Sequence, residues 1–178
     1  FDPEHVDVLP GWKRALAGAG HGHGHDDHHH PDEVYGVTSF TYRTRRPFHP
    51  ERVTEVLRTL PAGVVRSKGT LRVAGSDLRI VLGQAGPSVH TEAVGPWIAS
   101  LPEVEQDLYR SNRPNLDWDD THGDRQTELV FIGTDYDEAA LRESLDDALV
   151  DDDEWDRAGD LDGPFPDEQG AEVVLREP

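Results

Sequence analysis

The chain has 178 residues, 36 of them acidic and 17 basic, and its formal net charge of −19 makes nucleic acid and anionic membrane surfaces poor partners. It contains no cysteine, which excludes disulfides and thiolate metal sites, and no apolar stretch approaches the roughly 20 residues that span a bilayer. No signal peptide opens the chain, so we expect a cytoplasmic protein. Because it begins at Phe1 and contains no Met, we also expect it to be part of a longer protein.

The basic residues are almost all arginines, since Lys13 and Lys68 are the only lysines. Abundant Asp and Glu with so little Lys is typical of proteins adapted to high salt, where a Debye length of about 3 Å at 1 M screens self-repulsion. The composition therefore indicates a halophilic protein. An acidic interaction tail is the alternative, and it accounts for part of the charge.

Four regions follow one another along the chain. Residues 1–17 have the character of the end of a preceding element, and residues 18–34 form a linker of Gly, His and Asp. Residues 35–150 contain the regular hydrophobic patterns of a compact domain. Residues 151–178 are predicted to be a loose acidic tail.

The linker contains six of the ten histidines within ten residues. Imidazole suits Zn, Cu, Ni and Co, and zinc needs only three or four such ligands. Glycines between the first three histidines allow the backbone to fold around an ion. A purification tag or a solvated linker are the alternatives, although a tag is normally an uninterrupted terminal block. The pattern predicts these metal ligands: His21, His23, His25, His28, His29 and His30.

The compact domain opens with a strand and a helix. Residues 37–43 are rich in Thr, Phe, Tyr and Val and predict a strand. Pro50 at a first helical position, followed by Glu51, predicts a helix start. The helix carries one apolar stripe and stops at Pro61; the stripe is Val53, Val56, Leu57 and Leu60.

Short strands are predicted next. Glycines and turn residues separate the segments 64–65, 70–73 and 78–82, and residues 88–93 with Trp97-Ile98 form a candidate fourth strand. Residues 99–126 form an irregular polar loop with a short helix over 104–109. The apolar run 129–132 predicts a central strand.

A second helix is predicted to begin at Asp137, which has the residue type of an N-cap, and to bury Leu141, Leu145, Ala148 and Leu149. We therefore predict an α+β domain. Its core is a mainly antiparallel sheet of four to five strands with two helices packed on one face.

Two local clusters are candidates for an interaction patch. The segment 66–69 places Arg66 beside Lys68 in a predicted turn, and the segment 122–128 places His122, Asp124 and Arg125 before the apolar strand. We expect the two segments to lie near each other, with Arg66, Lys68, Asp124 and Arg125 as the patch. The alternatives are exposed turn bases for the first and an architectural ion pair for the second. No nucleotide-binding loop and no catalytic spacing is present.

A series of motifs runs through nearly the whole chain: Pro10-Gly11-Trp12, the His-rich linker, residues 35–43, residues 45–50, residues 66–69, residues 123–125, residues 128–133 and Pro164-Phe165-Pro166. In this order they resemble the C-terminal part of CobW-type GTPases, a family of GTP-dependent metal chaperones. The family includes zinc chaperones and cobalamin-synthesis proteins.

The resemblance implies an N-terminal P-loop GTPase domain ahead of Phe1 that carries GTP, Mg(II) and a Cys-rich metal site. No catalytic or cofactor-binding residue is therefore assigned to this chain, and its status as an enzyme stays open. The implied partners are its own GTPase domain and a client metalloprotein. We expect the chain to collect Zn(II), with Co(II) or Ni(II) as alternatives, and to mediate domain or client contacts. The alternative is a structural interaction domain whose His run is a passive metal buffer or linker.

Overall fold

The structure is a computed structural model that describes residues 36–178. The predicted His ligands lie outside this range. The described elements are β1 Thr38–Thr44, α1 Pro50–Arg58, β2 Val64–Leu71, β3 Leu78–Ala85, β4 Ser88–Pro96, α2 Glu103–Asn112, β5 Thr127–Gly133, α3 Glu138–Asp147 and β6 Glu172–Arg176. Short 3-10 helices occupy Ile98–Ser100 and Trp155–Asp160. Over these residues, no helix combines the length and apolarity that crossing a membrane requires.

The strands form one sheet in the order β1-β5-β2-β3-β4-β6, and every neighbouring pair is antiparallel. The predicted α+β class and antiparallel sheet are confirmed. The predicted number of four to five strands is wrong, because the described residues form six. The apolar run 129–132 is confirmed as an interior strand, since β5 pairs with β1 on one side and β2 on the other.

The sixth strand comes from residues 151–178, so the prediction of a loose acidic tail is wrong for this part. Strand β6 pairs with β4, and the hydroxyl of Thr91 donates to the carbonyl of Val173 at 3.2 Å. Leu175 is buried in the core, whereas Val174 is exposed. A strand of five residues carries too short an alternation to be visible among so many acidic residues, and its pairing with β4 supplies the stability.

Helices α1 and α3 cover one face of the sheet. The predicted stripe of α1 is confirmed, with Val53 and Leu57 fully buried. The predicted cap of α3 is also confirmed, because Asp137 Oδ1 accepts a hydrogen bond from the Ala140 amide at 3.0 Å. Both helices share one core with the inward side chains of the strands, including Phe40, Leu71, Ile80, Leu82, Leu129 and Phe131.

Strand β2 is continuous, which corrects the prediction of two short strands separated by a turn at 66–69. Pairing with β3 and β5 on its two sides carries the backbone straight through this segment. Gly69 has a φ of +152°, and a Cβ there would lie 2.0 Å from the carbonyl oxygen of Glu128. Glycine therefore permits the close approach of β5 rather than marking a turn.

The long loop before β5 contains the expected short helix, α2. None of its residues is buried, and Val104 and Leu108 remain exposed. The loop is held to the domain by polar contacts near its two ends, described below, instead of by an apolar helix face.

An arginine–carboxylate pair fastens α1 to the segment after α3. Arg52 donates to the two carboxylate oxygens of Glu154 at 2.8 and 2.6 Å, and also to the carbonyl of Leu149 at 2.8 Å. The hydrogen bonds from Arg52, together with the Asp151 amide, lower the pKa of Glu154 to about 2. The ionised carboxylate is thus the form that the folded chain prefers.

We predict that replacing Glu154 by Gln removes a component of stability that depends on pH. The folded pKa is depressed, so this component is fully present above the unfolded pKa of about 4.3 and is lost as pH falls towards 2. Urea unfolding of the wild type and Glu154→Gln should show a gap in unfolding free energy at pH 6 that narrows steadily below pH 4.5.

The control is Asp153→Asn, which alters an exposed neighbouring carboxylate that makes no side-chain hydrogen bond within the described residues. It should leave the pH dependence unchanged. A gap between the wild type and Glu154→Gln that stays constant from pH 6 to pH 2 would show that the ion pair contributes nothing.

Candidate functional site: an open sheet face and an arginine cluster

Arg66 and Lys68 lie on the face of the sheet opposite α1 and α3. In β2 they alternate with Ser67, which is buried on the helix-covered side, while both basic side chains are exposed. Because neighbouring residues of a strand point to opposite faces, the two cations share one face. We call this side of the sheet, opposite α1 and α3, the open face.

The strand register aligns Lys68 with other residues of the open face. Lys68 is opposite Val130 of β5 and Gly83 of β3, and Gly83 is opposite His90 of β4. A Cβ at Gly83 would lie 2.6 Å from Nε2 of His90, so the imidazole rests across the backbone of this glycine. Because Gly83 has no side chain, there is room for the imidazole of His90 on the open face, in line with Gly83 and Lys68.

Several cations of the open face have no acidic partner among residues 36–178. Arg43, at the β1 side, donates to Glu128 at 2.9 Å, and both side chains are more than half exposed. Arg66, Lys68 and Arg79 have no carboxylate within salt-bridge distance in this part of the chain. Apolar side chains of the other strands share this face: Val81, Val130, Ile132 and Val174.

Asp124 has an architectural position at the start of β5. Its two carboxylate oxygens accept hydrogen bonds from the backbone amides of Ile98 and Ala99 at 3.0 and 2.9 Å. It therefore caps the first turn of the 3-10 helix Ile98–Ser100. Arg125 donates to the hydroxyl of Ser100 at 3.0 Å, so both residues tie the long loop to this helix.

The structure does not bring the four predicted patch residues together. Arg66 and Lys68 are opposite Ile132 and Val130 of β5, whereas Arg125 precedes that strand. Arg125 is five positions before Val130 and two before the start of β5, a separation of up to roughly 16 Å at the rise of an extended chain. Arg66 and Lys68 therefore lie on the open face, whereas Asp124 and Arg125 lie in the loop that precedes β5.

Arg125 instead belongs to a second group of basic residues, the arginine cluster, formed by Arg45, Arg46, Arg72, Arg125 and His122. Nη1 of Arg72 lies 2.9 Å from Nδ1 of His122, and the same guanidinium donates to the carbonyl of Arg45. Arg45 in turn donates to the carbonyl of Gly123 at 3.0 Å. These contacts link the ends of β1 and β2 to the loop before β5.

The electrostatics of the cluster disfavour additional positive charge. Burial lowers the pKa of His122 below its usual value, and the charge of Arg72 lowers it further. A neutral imidazole can accept the hydrogen bond from Arg72 at Nδ1, which a protonated ring cannot. Burial, with the charges of Arg125 and Arg45, also lowers the pKa of Arg72 to about 10.

An aromatic ring from the C-terminal segment closes the cluster. Trp155 makes an edge contact with His122, with ring centroids 5.8 Å apart, and the guanidinium carbon of Arg46 lies 5.4 Å from the Trp155 ring. Sequence reasoning singled out His122 and Arg125 but missed Arg45, Arg46, Arg72 and Trp155. No local signal could have found them, because their neighbours lie 27 to 109 residues away along the chain.

No group of three or more His, Asp or Glu side chains is arranged for metal binding within residues 36–178. The six predicted His ligands lie outside the described residues, so metal binding by the His-rich segment stays a prediction.

The family of the chain follows from its sequence. The family described as "Cobalamin synthesis protein cobW C-terminal domain" matches residues 37–149. The chain belongs to this family. The predicted resemblance to the C-terminal region of CobW-type GTPases is thereby confirmed.

Named relatives share a substantial part of this sequence. The chain is 35% identical to zinc-regulated GTPase metalloprotein activator 1 of Dictyostelium discoideum over 85% of its own length and 32% of the relative. It is 32% identical to a zinc chaperone of Mycobacterium tuberculosis over 64% of its length and 29% of the relative. The chain thus spans about a third of the length of each relative. Among solved structures it is similar to the Zn(II)-bound YjiA GTPase of E. coli, with a TM-score of 0.47 and 18% identity over 71% of this chain and 34% of the other.

Proposed function

We propose that this chain is the C-terminal part of a GTP-dependent zinc chaperone. In this proposal the His-rich segment collects Zn(II) as cargo, and the folded domain contacts the GTPase domain or the client metalloprotein. The names of the Dictyostelium and Mycobacterium relatives, which refer to zinc and to metalloprotein activation, support the choice of metal and of client class. GTP and Mg(II) would be held by a GTPase domain that precedes this one.

The main support for a role in binding a partner is the positive charge exposed on the open face. In a chain of net charge −19, exposed Arg66, Lys68 and Arg79 lack carboxylate partners within the described residues. Surface cations in so acidic a protein have many carboxylates to pair with, yet none of these three has a carboxylate within salt-bridge distance in this part of the chain. An acidic surface of a partner would complement them and would also cover apolar side chains on the same face.

The proposed role of the His-rich segment rests on the number of imidazole ligands that directly precede the folded domain in the sequence. A tethered collector raises the local concentration of metal near a tighter site by an effective-concentration effect. The donors proposed for this collector are neutral imidazoles, which bind zinc only when deprotonated.

We predict that the chain binds Zn(II) at pH 7.5 and that binding is lost as pH falls through roughly 6.5, because protons compete for the imidazoles. Isothermal titration with Zn(II) at pH 7.5 and pH 5 measures this directly. A variant with Ala at His21, His23, His25, His28, His29 and His30 should show no binding at either pH.

The matched control for this titration is His90→Asn, which removes an exposed imidazole of the folded domain. It should bind zinc as the wild type does. Affinity that is equal at pH 5 and pH 7.5, or that survives in the six-histidine variant, would assign the metal to carboxylates and refute the proposed ligands.

We predict that Lys68→Glu weakens binding of this chain to the separately expressed GTPase domain of the parent protein, or to its client, by at least about tenfold. A reversed charge in the centre of the open face would oppose an acidic partner surface. Surface plasmon resonance at low and high salt measures the loss, and the wild-type affinity should fall as salt rises.

Arg157→Glu provides the charge-matched control, because Arg157 is exposed in the 3-10 helix Trp155–Asp160 and lies outside the sheet. It should leave both affinities unchanged. Equal losses in the two variants would attribute the effect to net charge, and no loss in Lys68→Glu would remove the open face from the interface.

A further inference from the structure

The arginine cluster contains two kinds of arginine. Arg45 has a carboxylate partner, Asp117, at 2.7 Å, and Arg46 is paired with Asp152. Arg72 and Arg125 have no carboxylate within salt-bridge distance among the described residues. Their hydrogen-bond partners are the Arg45 carbonyl, the His122 ring and the Ser100 hydroxyl, all of them neutral.

The two arginines without a carboxylate partner line the same cavity. The cavity has a volume of about 400 Å³ and lies between the turn after β2 and the 3-10 helix Trp155–Asp160. Its wall is formed by Pro47, Arg72, residues 73–77, Arg125, Ala158 and Gly159. Asp77 is the acidic residue in this wall, and its carboxylate is 3.4 Å from the hydroxyl of Ser100.

A half-buried guanidinium without a counter-ion is unfavourable, because burial removes hydration that no opposite charge replaces. The lowered pKa of Arg72 reflects this burial and the nearby charges of Arg125 and Arg45, which outweigh the opposite effect of Asp119. An anion in the cavity would supply the missing negative charge and so stabilise the charged form of both arginines. A guanidinium presents two parallel N–H donors, a geometry that matches the oxygens of a phosphate group.

We propose that the cavity beside Arg72 and Arg125 is a binding site for a phosphate group, either as free phosphate or as the phosphate of a small monoester. The volume exceeds what a phosphate ion alone fills and falls in the range of small-ligand pockets. None of the residues that line the site belongs to the open face or to the His-rich sequence, so the proposal does not rest on the proposed zinc-chaperone role.

Binding is tested by isothermal titration of the whole chain with inorganic phosphate, with a nucleoside monophosphate, and with acetate, at fixed low ionic strength. Saturable binding of phosphate or of the monoester supports the site. Tighter binding of the monoester identifies it as the ligand, and equal affinity identifies the free ion. Binding of acetate as tight as that of phosphate, or no saturable binding at all, overturns the proposal.

Arg125→Gln should weaken phosphate binding by about ten- to a hundredfold, the loss expected for a hydrogen bond to a charged group. Within residues 36–178 the side chain of Arg125 makes a single hydrogen bond, to Ser100, so this variant is expected to fold. Arg79→Gln is the control, because it removes an exposed arginine of the open face. Equal affinity of Arg125→Gln and the wild type would place the anion elsewhere and overturn the assignment.

A second readout uses the unmodified chain. The charged groups that act on His122 are Arg72, Arg45, Arg125 and Asp119, and a bound phosphate would add negative charge beside the first of these. The pKa of His122, followed by NMR of the assigned imidazole, should therefore rise when phosphate saturates the chain. A His122 pKa that does not move would contradict a phosphate at this site.

Discussion

The structure depends on covering one face of a six-stranded antiparallel sheet with two helices. Side chains alternate between the two faces along every strand. Covering one face with helices therefore assigns each residue of the sheet to the core or to the surface. Strand β5 shows the effect most clearly, because it pairs on both sides and sends Leu129 and Phe131 into the core. Phe131 stacks on Phe40 of β1 with ring centroids 5.1 Å apart, which fixes the register of the pair from the buried side.

The arrangement of the sheet also positions the two candidate sites, the open face and the arginine cluster. On the open face it aligns Arg66 and Lys68 opposite the apolar side chains of Ile132 and Val130. At the end of the sheet, where β2 stops, the backbone turns and Arg72 reaches the loop that leads into β5. The proposed partner contact and the proposed phosphate site are thus separate consequences of one architecture, each placed where cations have no internal counter-charge in the described part of the chain.

The parts of the fold that could be predicted are those encoded locally. The stripe of α1, the Asp137 cap and the apolar run of β5 are each written in fewer than a dozen consecutive residues. The continuity of β2 and the presence of β6 could not be predicted, because both depend on pairing with distant strands that overrides Gly69 in one case and an acidic composition in the other. The predicted patch residues do not lie together for a related reason: Lys68 is opposite Val130 of the neighbouring strand, whereas Arg125 lies in the loop before that strand begins. The cluster of Arg72, His122 and Trp155 joins three distant segments and has no local signature.

The most direct test of one-sided coverage compares two adjacent residues of β5 that point to opposite faces. Phe131 is fully buried, and Val130 is half-buried on the open face. Chemical denaturation of the whole chain should show that Phe131→Ala lowers the unfolding free energy by about 3–5 kcal/mol, as for a large aromatic in a packed core. Val130→Ala should lower the unfolding free energy by about 1 kcal/mol or less, as expected for a partly exposed side chain. Similar losses in the two variants would mean that both faces of the sheet are covered in solution and would contradict the account.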